Sequence, residues 1–332
     1  MKGRDTLIAY SEIMAELMID VNKNEIPFEL FASFKRIAVG NPIIALPPPL
    51  WAAATHAIIV DGTVHYIWCK RDHGVRWLIM HATAPMSDLT NITQDARNPI
   101  LEPSVDGFDN AAVEYPFPFL NPADGKFYMY YRGKGKTTPE QTGLLVSTGD
   151  LGEWQRVQHT PVIPADTDHE RHGSTHPSVA VDGDTIHIVY TGKATQSFGV
   201  GLTMCHATAP TSNPASVTKN PANPVFTGSG EVWDSKAVRE TELFKGPQYF
   251  HILYGGFDGE IWRIGHVRTR DFQNFEPNPD NPVFTPSDDT NAFDCDGVLT
   301  GQILKVGDTY AMLYAGKKGQ EWQTGLATIQ EN

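Results

Sequence analysis

EVWDSKAVRETELFKGPQYFHILYGGFDGEIWRIGHVRTRDFQNFEPNPDNPVFTPS, residues Glu231–Ser287, contains one complete copy of a unit that the chain repeats. Two apolar runs of strand length are followed by an Asp-aromatic turn and an Asn-Pro pair. Such a pair, or Thr-Pro, begins at Asn41, Asn98, Thr160, Asn223 and Asn281, at intervals of 57, 62, 63 and 58 residues. This period indicates one supersecondary unit that cannot bury its apolar face alone. With about four short strands per unit, it predicts an all-β protein, a five-bladed β-propeller.

The charge of the chain argues against several classes of partner. The 332 residues include 26 Lys and Arg against 39 Asp and Glu, a formal net charge of −13. Such a surface repels phosphate backbones and anionic lipids, so we expect neither nucleic-acid nor membrane binding. No apolar run reaches the roughly 18 residues of a membrane span, and the N-terminal sequence lacks the pattern of a secretion signal. The three cysteines have no CxxC spacing, which favours reduced thiols in a cytoplasmic protein.

The N-terminal sequence predicts a helical extension over residues 1–35, followed by the propeller over residues 36–332. Apolar residues at helical spacing predict a helix across roughly Asp5–Val21, and Ile26–Phe34 can form a second short helix. These helices either cover the propeller or form a homodimerisation arm. Ala32–Leu46 matches a blade ending, whereas the last repeat stops at TGLATIQEN without one. We therefore expect residues 36–46 to form the outer strand that completes the last blade and closes the ring.

The inner strands predict where a pocket lies. Aligned across the blades, their mouth positions are spaced by 60, 61, 64 and 60 residues and fall at Thr55, Tyr115, His176, Glu240 and Thr300. Because the inner strands of a propeller surround one axis, we expect these side chains and the loops before them to converge on one central pocket.

The blade sequences resemble those of a known superfamily. The endings NPIL and NPVF, the turns GLLVSTGDLGEW and IGHVRTRDF, and the inner strands HPSVAVDGDTIHIVYTG and TGQILKVGDTYAMLYAG are similar to those of five-bladed propeller glycosidases. This furanosidase superfamily includes glycoside hydrolase families 43, 32, 117 and 130, and the resemblance covers about residues 41–332. It implies a small carbohydrate substrate. In family 43 an Asp opens blade one as general base, an Asp opens blade three and tunes the acid, and a Glu opens blade four as general acid.

Of these three family-43 residues, only the general-acid Glu has a counterpart at the matching position of this sequence. Glu240, in RETELFKG, is similar to the general acid, whereas Thr55-His56 and His176 stand where the two Asp residues belong. Glycoside cleavage needs one protonated carboxyl group and one carboxylate. A second carboxylate must therefore come from another loop. Glu114 is our first choice because it does not recur in the other blades, and a surface carboxylate is the alternative interpretation.

An aromatic-Asp pair recurs at Asp109, Asp234 and Asp294. Recurrence in three blades favours a structural role in which the Asp caps a loop or turn. This interpretation carries more weight for Asp109 and Asp294 than for Asp234. We keep Asp234 as a catalytic candidate and Asp294 as a candidate substrate ligand.

Histidines, an arginine and aromatic residues complete the predicted pocket. Neutral imidazole can transfer protons near pH 7 or bind a metal, although a lone His is often only hydrogen-bonded; family 117 resembles this sequence in using a His as acid. Arg239 could lower the pKa of Glu240 or bind a substrate carboxylate, with an ion pair to Glu242 or Asp234 as the alternative. The candidates are His176 for catalysis and Trp51, His56, Tyr115, Arg239 and His172 for substrate binding.

Two functional hypotheses follow. The first is a glycoside hydrolase for a small oligosaccharide, in which Glu240 is the general acid and Glu114 or a loop Asp is the base or nucleophile. The second is a divergent propeller that binds sugar, or acts as a lyase through His and Arg, without hydrolysis. Neither needs a cofactor, and no HxH or HExxH spacing predicts a metal ligand set, although a structural or pocket metal is compatible with the histidines.

Overall fold

The structure is a computed structural model. It describes residues 25–47, 50–71, 76–147, 149–307 and 309–330. The predicted helix over Asp5–Val21, and with it the predicted dimerisation arm, lies outside these residues. No helix in the described ranges is long and apolar enough to cross a membrane.

Five antiparallel four-stranded blades form a propeller, which confirms the predicted fold. Blades two and three are continuous as one eight-stranded sheet, because Gly173 pairs in parallel with Glu140. Each inner strand lies at the axis, and the short fourth strand lies at the rim. From blade one to blade five the strands are β2 (Trp51–Val60), β3 (Thr63–Arg71), β4 (Trp77–Pro85), β5 (Thr93–Gln94); β6 (Ala112–Asn121), β7 (Lys126–Lys134), β8 (Glu140–Ser147), β9 (Gln155–Arg156); β10 (Gly173–Asp182), β11 (Thr185–Lys193), β12 (Leu202–Pro210), β13 (Thr218–Lys219); β14 (Ala237–Lys245), β15 (Phe250–Phe257), β16 (Trp262–Thr269), β17 (Phe275–Pro277); and β18 (Gly297–Val306), β19 (Thr309–Lys318), β20 (Glu321–Gln330), β1 (Lys35–Arg36).

The hydrophobic core is divided among the interfaces between neighbouring blades. One cluster joins Tyr130 of blade two to Ile188 of blade three, and another joins Val189 of blade three to Ile252 of blade four. Alternate residues of each strand face opposite sides of its sheet, so every blade contributes to two interfaces. A single blade therefore leaves apolar surface exposed, which is why the unit repeats around a ring.

The repeated asparagines hold each rim segment against the third strand of its blade. The Asn98 carboxamide accepts a hydrogen bond from the His81 amide and donates one to the His81 carbonyl, both at 2.7 Å. The same paired contact joins Asn223 to His206, Asn281 to His266 and Asn41 to Leu326. The asparagine side chain thus replaces one residue of strand pairing, and this role explains why Asn-Pro marks the blade period.

The last blade takes its fourth strand from the N-terminal part of the chain. Lys35 and Arg36 pair with β20, and Ile44 forms a bridge to Thr324. Arg36 also donates from Nε to Asp294 at 2.5 Å and from Nη2 to the Thr285 carbonyl at 2.5 Å. These contacts join residues more than 240 positions apart and attach the N-terminal segment to the last blade.

A short helix, α1 (Phe28–Phe31), precedes this strand and packs against blade four. Phe31 is buried and stacks on the His266 ring at 3.6 Å between centroids. Glu25 accepts a hydrogen bond from His251 Nε2 at 2.6 Å. The described part of the N-terminal segment therefore covers an outer surface of the propeller.

Candidate active site

The five inner strands share a backbone kink where they open toward the axis. Each has a bulge at this point, and one residue of each bulge has a positive φ between 49° and 55°. A β-bulge redirects the side chains beside it. The five kinked residues are Ala54, Tyr115, His176, Glu240 and Thr300.

This kink corrects the predicted alignment in blade one. The residue equivalent to Tyr115 and Glu240 is Ala54, not Thr55. The bulge between Ala53 and His56 has the same two unpaired residues as the bulges of the other four blades, and Ala54 is the first of them. Thr55 instead makes a buried hydrogen bond of 2.6 Å to Thr324 in blade five. Blade one therefore presents a methyl group where the resemblance places a general base.

A cavity of about 260 Å³ opens at these kinks. Three carboxyl groups, four basic side chains and several aromatic rings line it. They are Glu114, Glu140 and Glu240; Arg71, Arg132, Lys193 and Arg239; and Trp51, Trp77, Tyr115, Phe198 and Trp322. A concave site with aromatic walls and converging polar groups is the usual form of a small-molecule site.

Three donors surround the buried Glu240 carboxyl group. Tyr115 Oη donates to Oε1 at 3.0 Å, Arg239 Nη2 lies 2.5 Å from Oε1, and Thr300 Oγ1 donates to Oε2 at 2.6 Å. The Arg239 Nη2 atom also donates to His176 Nε2 at 2.9 Å. Glu240 thus acts as an acceptor toward a hydroxyl, a phenol and a guanidinium, which is the role of an anionic carboxylate.

Glu114 lies in a different environment. Its Oε2 atom accepts a hydrogen bond from Arg132 Nη1 at 2.8 Å, and its side chain is almost completely buried. Burial raises the pKa of Glu114 to about 7, against the opposing charge of Arg132. Burial alone would also raise the pKa of Glu140, but Arg132 and Lys193 hold it below its usual value. One carboxyl group of the cavity is therefore poised to exchange a proton near neutral pH.

His176 and Tyr115 are both held in their neutral forms. Burial, and then the charge of Arg239, lowers the pKa of His176 well below its usual value. Burial, and then the charge of Glu240, raises the pKa of Tyr115 well above its usual value. Because His176 Nε2 accepts from Arg239, its proton is on Nδ1. Neither group is a strong base near pH 7.

The structure brings some of the predicted site residues to the cavity and leaves others outside it. Glu240, Glu114, His176, Trp51, Tyr115 and Arg239 line it. His56 lies deeper, in contact with Glu242, at a second cavity of about 10 Å³. His172 is partly exposed outside both cavities, and its backbone amide binds the Lys193 carbonyl at 2.8 Å.

Asp234 and Asp294 also lie outside both cavities, inside their own blades. Asp234 accepts a hydrogen bond from Tyr254 Oη at 2.9 Å, and Asp294 accepts one from Tyr314 Oη at 2.9 Å. Asp109 does the same with Tyr131 at 2.8 Å. Each carboxylate ties the loop before the inner strand to a tyrosine of the second strand. The placement of Asp234 and Asp294 is therefore structural, because each is fully buried between loop and sheet.

Several cavity residues were absent from the sequence prediction. Arg71, Arg132 and Lys193 stand at or near the ends of the second strands β3, β7 and β11. Second strands run antiparallel to the inner strands, so their last residues reach the mouth where the inner strands begin. The signal was a basic residue after each apolar run, in WCKR, YYRGK and VYTGK.

One cluster outside the cavity combines metal-ligand atoms. Atoms of His169, Glu170 and Cys205 lie within 4.8 Å of one another. However, Lys219 Nζ lies 2.5 Å from Glu170 Oε2, and Tyr190 Oη donates to Oε1 at 2.6 Å. Burial also raises the pKa of Cys205 to about 12, which disfavours the thiolate that a metal requires. An ammonium group already neutralises this carboxylate, so the cluster is a structural contact of blade three.

Comparisons with known proteins agree with this architecture. No family model and no curated protein matches the sequence. A glycosyl hydrolase structure from Bacteroides ovatus is 16% identical with a TM-score of 0.72, over 92% of this chain and 96% of that one. A structure from the GH130 family of mannoside phosphorylases, which contains glycoside hydrolases that target β-1,2 mannosidic linkages in Candida mannan, is 15% identical with a TM-score of 0.72, over 93% and 97%. A thermostable family-43 glycoside hydrolase is 12% identical with a TM-score of 0.65, over 87% and 91%.

At these identities the likeness establishes the fold. The protein has the same propeller fold as these glycoside hydrolase structures, as the resemblance in its blade sequences predicted.

Proposed function

We propose that the protein is a glycoside hydrolase that cleaves a small oligosaccharide in the central cavity. The observation that carries this proposal is a pair of carboxyl groups, Glu114 and Glu240, which line one cavity in contrasting environments. Glycoside cleavage requires one carboxyl group that carries a proton and one that carries a negative charge. Pairs of carboxyl groups with contrasting environments are typical of such sites.

The environments favour Glu114 as the proton donor and Glu240 as the carboxylate. A pKa of about 7 leaves Glu114 protonated in a large fraction of molecules near neutral pH. Glu240 receives hydrogen bonds from Thr300 and Tyr115 and an ion pair from Arg239. This assignment reverses the one implied by the resemblance, in which Glu240 is the general acid.

In the proposed reaction Glu114 transfers its proton to the glycosidic oxygen as the bond to the anomeric carbon breaks. The Glu240 carboxylate supplies the negative charge on the other side of the sugar, as the base for a water molecule or as the nucleophile. Arg132 stabilises the Glu114 carboxylate that remains after the transfer. Water adds its oxygen to the anomeric carbon and gives up one proton, and Glu114 regains its own proton from that water or from solvent. Only side chains take part, so we propose no cofactor.

The test compares Glu114→Gln and Glu240→Gln on aryl and alkyl glycosides, across a panel of furanosides and pyranosides. Without its proton donor, the Glu114 variant should lose about a hundredfold or more on alkyl leaving groups but little on dinitrophenyl glycosides, which leave without protonation. The Glu240 variant should lose both activities. Glu276→Gln, an exposed carboxyl group paired with Arg268 far along the rim, is the control.

The opposite pattern, with activated substrates spared in the Glu240 variant, would restore the assignment implied by the resemblance. Full activity in both variants on every substrate that the protein hydrolyses would contradict the carboxyl pair altogether.

A second candidate is a lyase that uses Arg239 with His176 or Tyr115 as base, and Ala54 favours it because blade one offers no carboxylate. The electrostatics weigh against it, because the lowered pKa of His176 makes its imidazole a weak base and the raised pKa of Tyr115 keeps its phenol protonated near pH 7. Formation of an unsaturated sugar product, followed by its ultraviolet absorbance, distinguishes elimination from hydrolysis.

A further inference from the structure

Trp51, Arg71 and Trp77 form a row across the first three strands of blade one. Trp51 is the cross-strand partner of Arg71, and Arg71 is the partner of Trp77. The guanidinium lies 4.5 Å from the centre of the Trp51 ring and 6.0 Å from that of Trp77. Directly paired residues share a face of the sheet. All three side chains line the central cavity and are partly exposed.

Arg71 differs from the other basic residues of the cavity in its charge partners. Arg239, Arg132 and Lys193 each have a carboxylate within ion-pair distance inside the cavity. Arg71 has none among the residues that the structure describes, and its contacts there are the faces of the two indoles. Its hydrogen-bond donors therefore remain available to a ligand.

The charge of the cavity contrasts with that of the whole chain. Four basic side chains line it against three carboxyl groups, although the protein has a net charge of −13. A locally cationic recess on an acidic protein concentrates anions. A neutral oligosaccharide would gain little from such an arrangement.

We propose that the row of Trp51, Arg71 and Trp77 is a subsite for a sugar unit that carries an anionic substituent, either a carboxylate or a sulfate ester. The sugar ring stacks on an indole face, and the guanidinium of Arg71 binds the anion through two parallel hydrogen bonds. The inference rests on the proposed function in taking a sugar as the ligand of this cavity. It adds the chemical class of the substrate.

The test is binding of free monosaccharides, which have no glycosidic bond and so are independent of turnover. Calorimetry compares glucuronate and glucose 6-sulfate with glucose, and galacturonate with galactose, on the full-length protein. We expect at least one anionic sugar to bind about tenfold to a hundredfold more tightly than its neutral parent, as charge-assisted hydrogen bonds allow. The two kinds of anion in the panel identify which substituent the subsite accepts.

Arg71→Met should remove this preference, so that the anionic sugar and its neutral parent bind with similar affinity. Arg171→Met is the matched control, because Arg171 is 65% exposed, pairs with Asp168 and lies outside the cavity. Thermal unfolding establishes that both variants are folded. If no anionic sugar binds more tightly than its neutral parent, or if the preference survives in Arg71→Met, the inference is wrong.

The outcome is separable from that of the proposed hydrolysis. A preference that depends on Arg71 in a protein that cleaves no glycoside would refute the hydrolase and keep the subsite. Hydrolysis of neutral glycosides without any preference for anionic sugars would support the hydrolase and refute the subsite.

Discussion

Replacing Arg36 by methionine tests how the ring is closed. Asp294 is completely buried, and Arg36 is its only cationic partner among the residues that the structure describes. Removing one partner of a fully buried ion pair costs about 3–5 kcal/mol. Because the Arg36 side chain is 29% exposed, water can reach part of the site, and we expect about 2–3 kcal/mol. The lost hydrogen bond to the Thr285 carbonyl adds about 1 kcal/mol.

The free energy of unfolding, measured with urea, should therefore fall by about 3–4 kcal/mol in Arg36→Met. In an Asp294→Asn background the same replacement should cost only about 1 kcal/mol, because the charge of Asp294 is gone. The coupling energy is then about 2–3 kcal/mol. Hydrogen exchange should also accelerate in β20, which pairs with the strand that carries Arg36.

Arg156→Met is the matched control for this prediction. Arg156 contacts the buried Asp109 in the same way, at 2.8 Å, and is 21% exposed, but both residues belong to blade two. Its replacement should lower stability by a similar amount and leave exchange in β20 unchanged. A cost below about 1 kcal/mol for Arg36→Met, or a coupling energy near zero, would refute the view that this ion pair fastens the ring.

Two further predictions concern pH and the blade-one kink. Burial lowers the pKa of His206 to about 3 and that of His65 to about 4. Between these values and about pH 6.5, the two imidazoles are therefore protonated in the unfolded chain but neutral in the folded protein. The stability that these two histidines contribute should be fully present above about pH 6.5 and should be lost as the pH falls toward 4. The loss should be at most about 1.4 kcal/mol per pH unit for His206, and less for the more exposed His65. Glu114, whose pKa is raised, acts oppositely, so His206→Gln should flatten the urea-derived slope and Glu114→Gln should steepen it. Ala54→Asp adds a negative charge to the cavity and should weaken the binding of anionic sugars several-fold in calorimetry, and Asp tolerates the positive φ of this position. Tighter binding would contradict the inference that the cavity attracts anions.

The architecture was predictable because its signals are local and repeated. Asn41, Asn98, Asn223 and Asn281 recur since each performs the same paired contact with a third strand. In blade two the equivalent position is Thr160, which keeps the spacing but has no carboxamide, so the repeat is still recognisable with one Asn replaced. The bulge of an inner strand has no such marker in the sequence, so the alignment of blade one was one residue out, at Thr55 instead of Ala54.

The assignment of carboxylates was less predictable. Asp234 and Asp294 follow an aromatic residue near the mouth, where the sequence places candidate catalytic residues. In the structure, however, each is hydrogen-bonded inside its blade to a tyrosine 20 positions later in the chain. Reading Tyr254 and Tyr314 together with the Asp residues would have indicated this. The proton affinity of Glu114 depends on burial and on Arg132, which comes from the next strand, and spacing along a chain does not report either.

The shared kink of the inner strands also bears on how such a protein changes its chemistry. Because the backbone sets the direction of the side chain at Ala54, His176 and Glu240 alike, a single codon change there swaps the functional group without moving the scaffold. The methyl group of Ala54, the imidazole of His176 and the carboxylate of Glu240 already occupy equivalent backbone positions in this one molecule. Divergence to a new substrate can thus proceed by exchanging side chains at the kinked positions around the cavity, while the backbone of the blades stays unchanged.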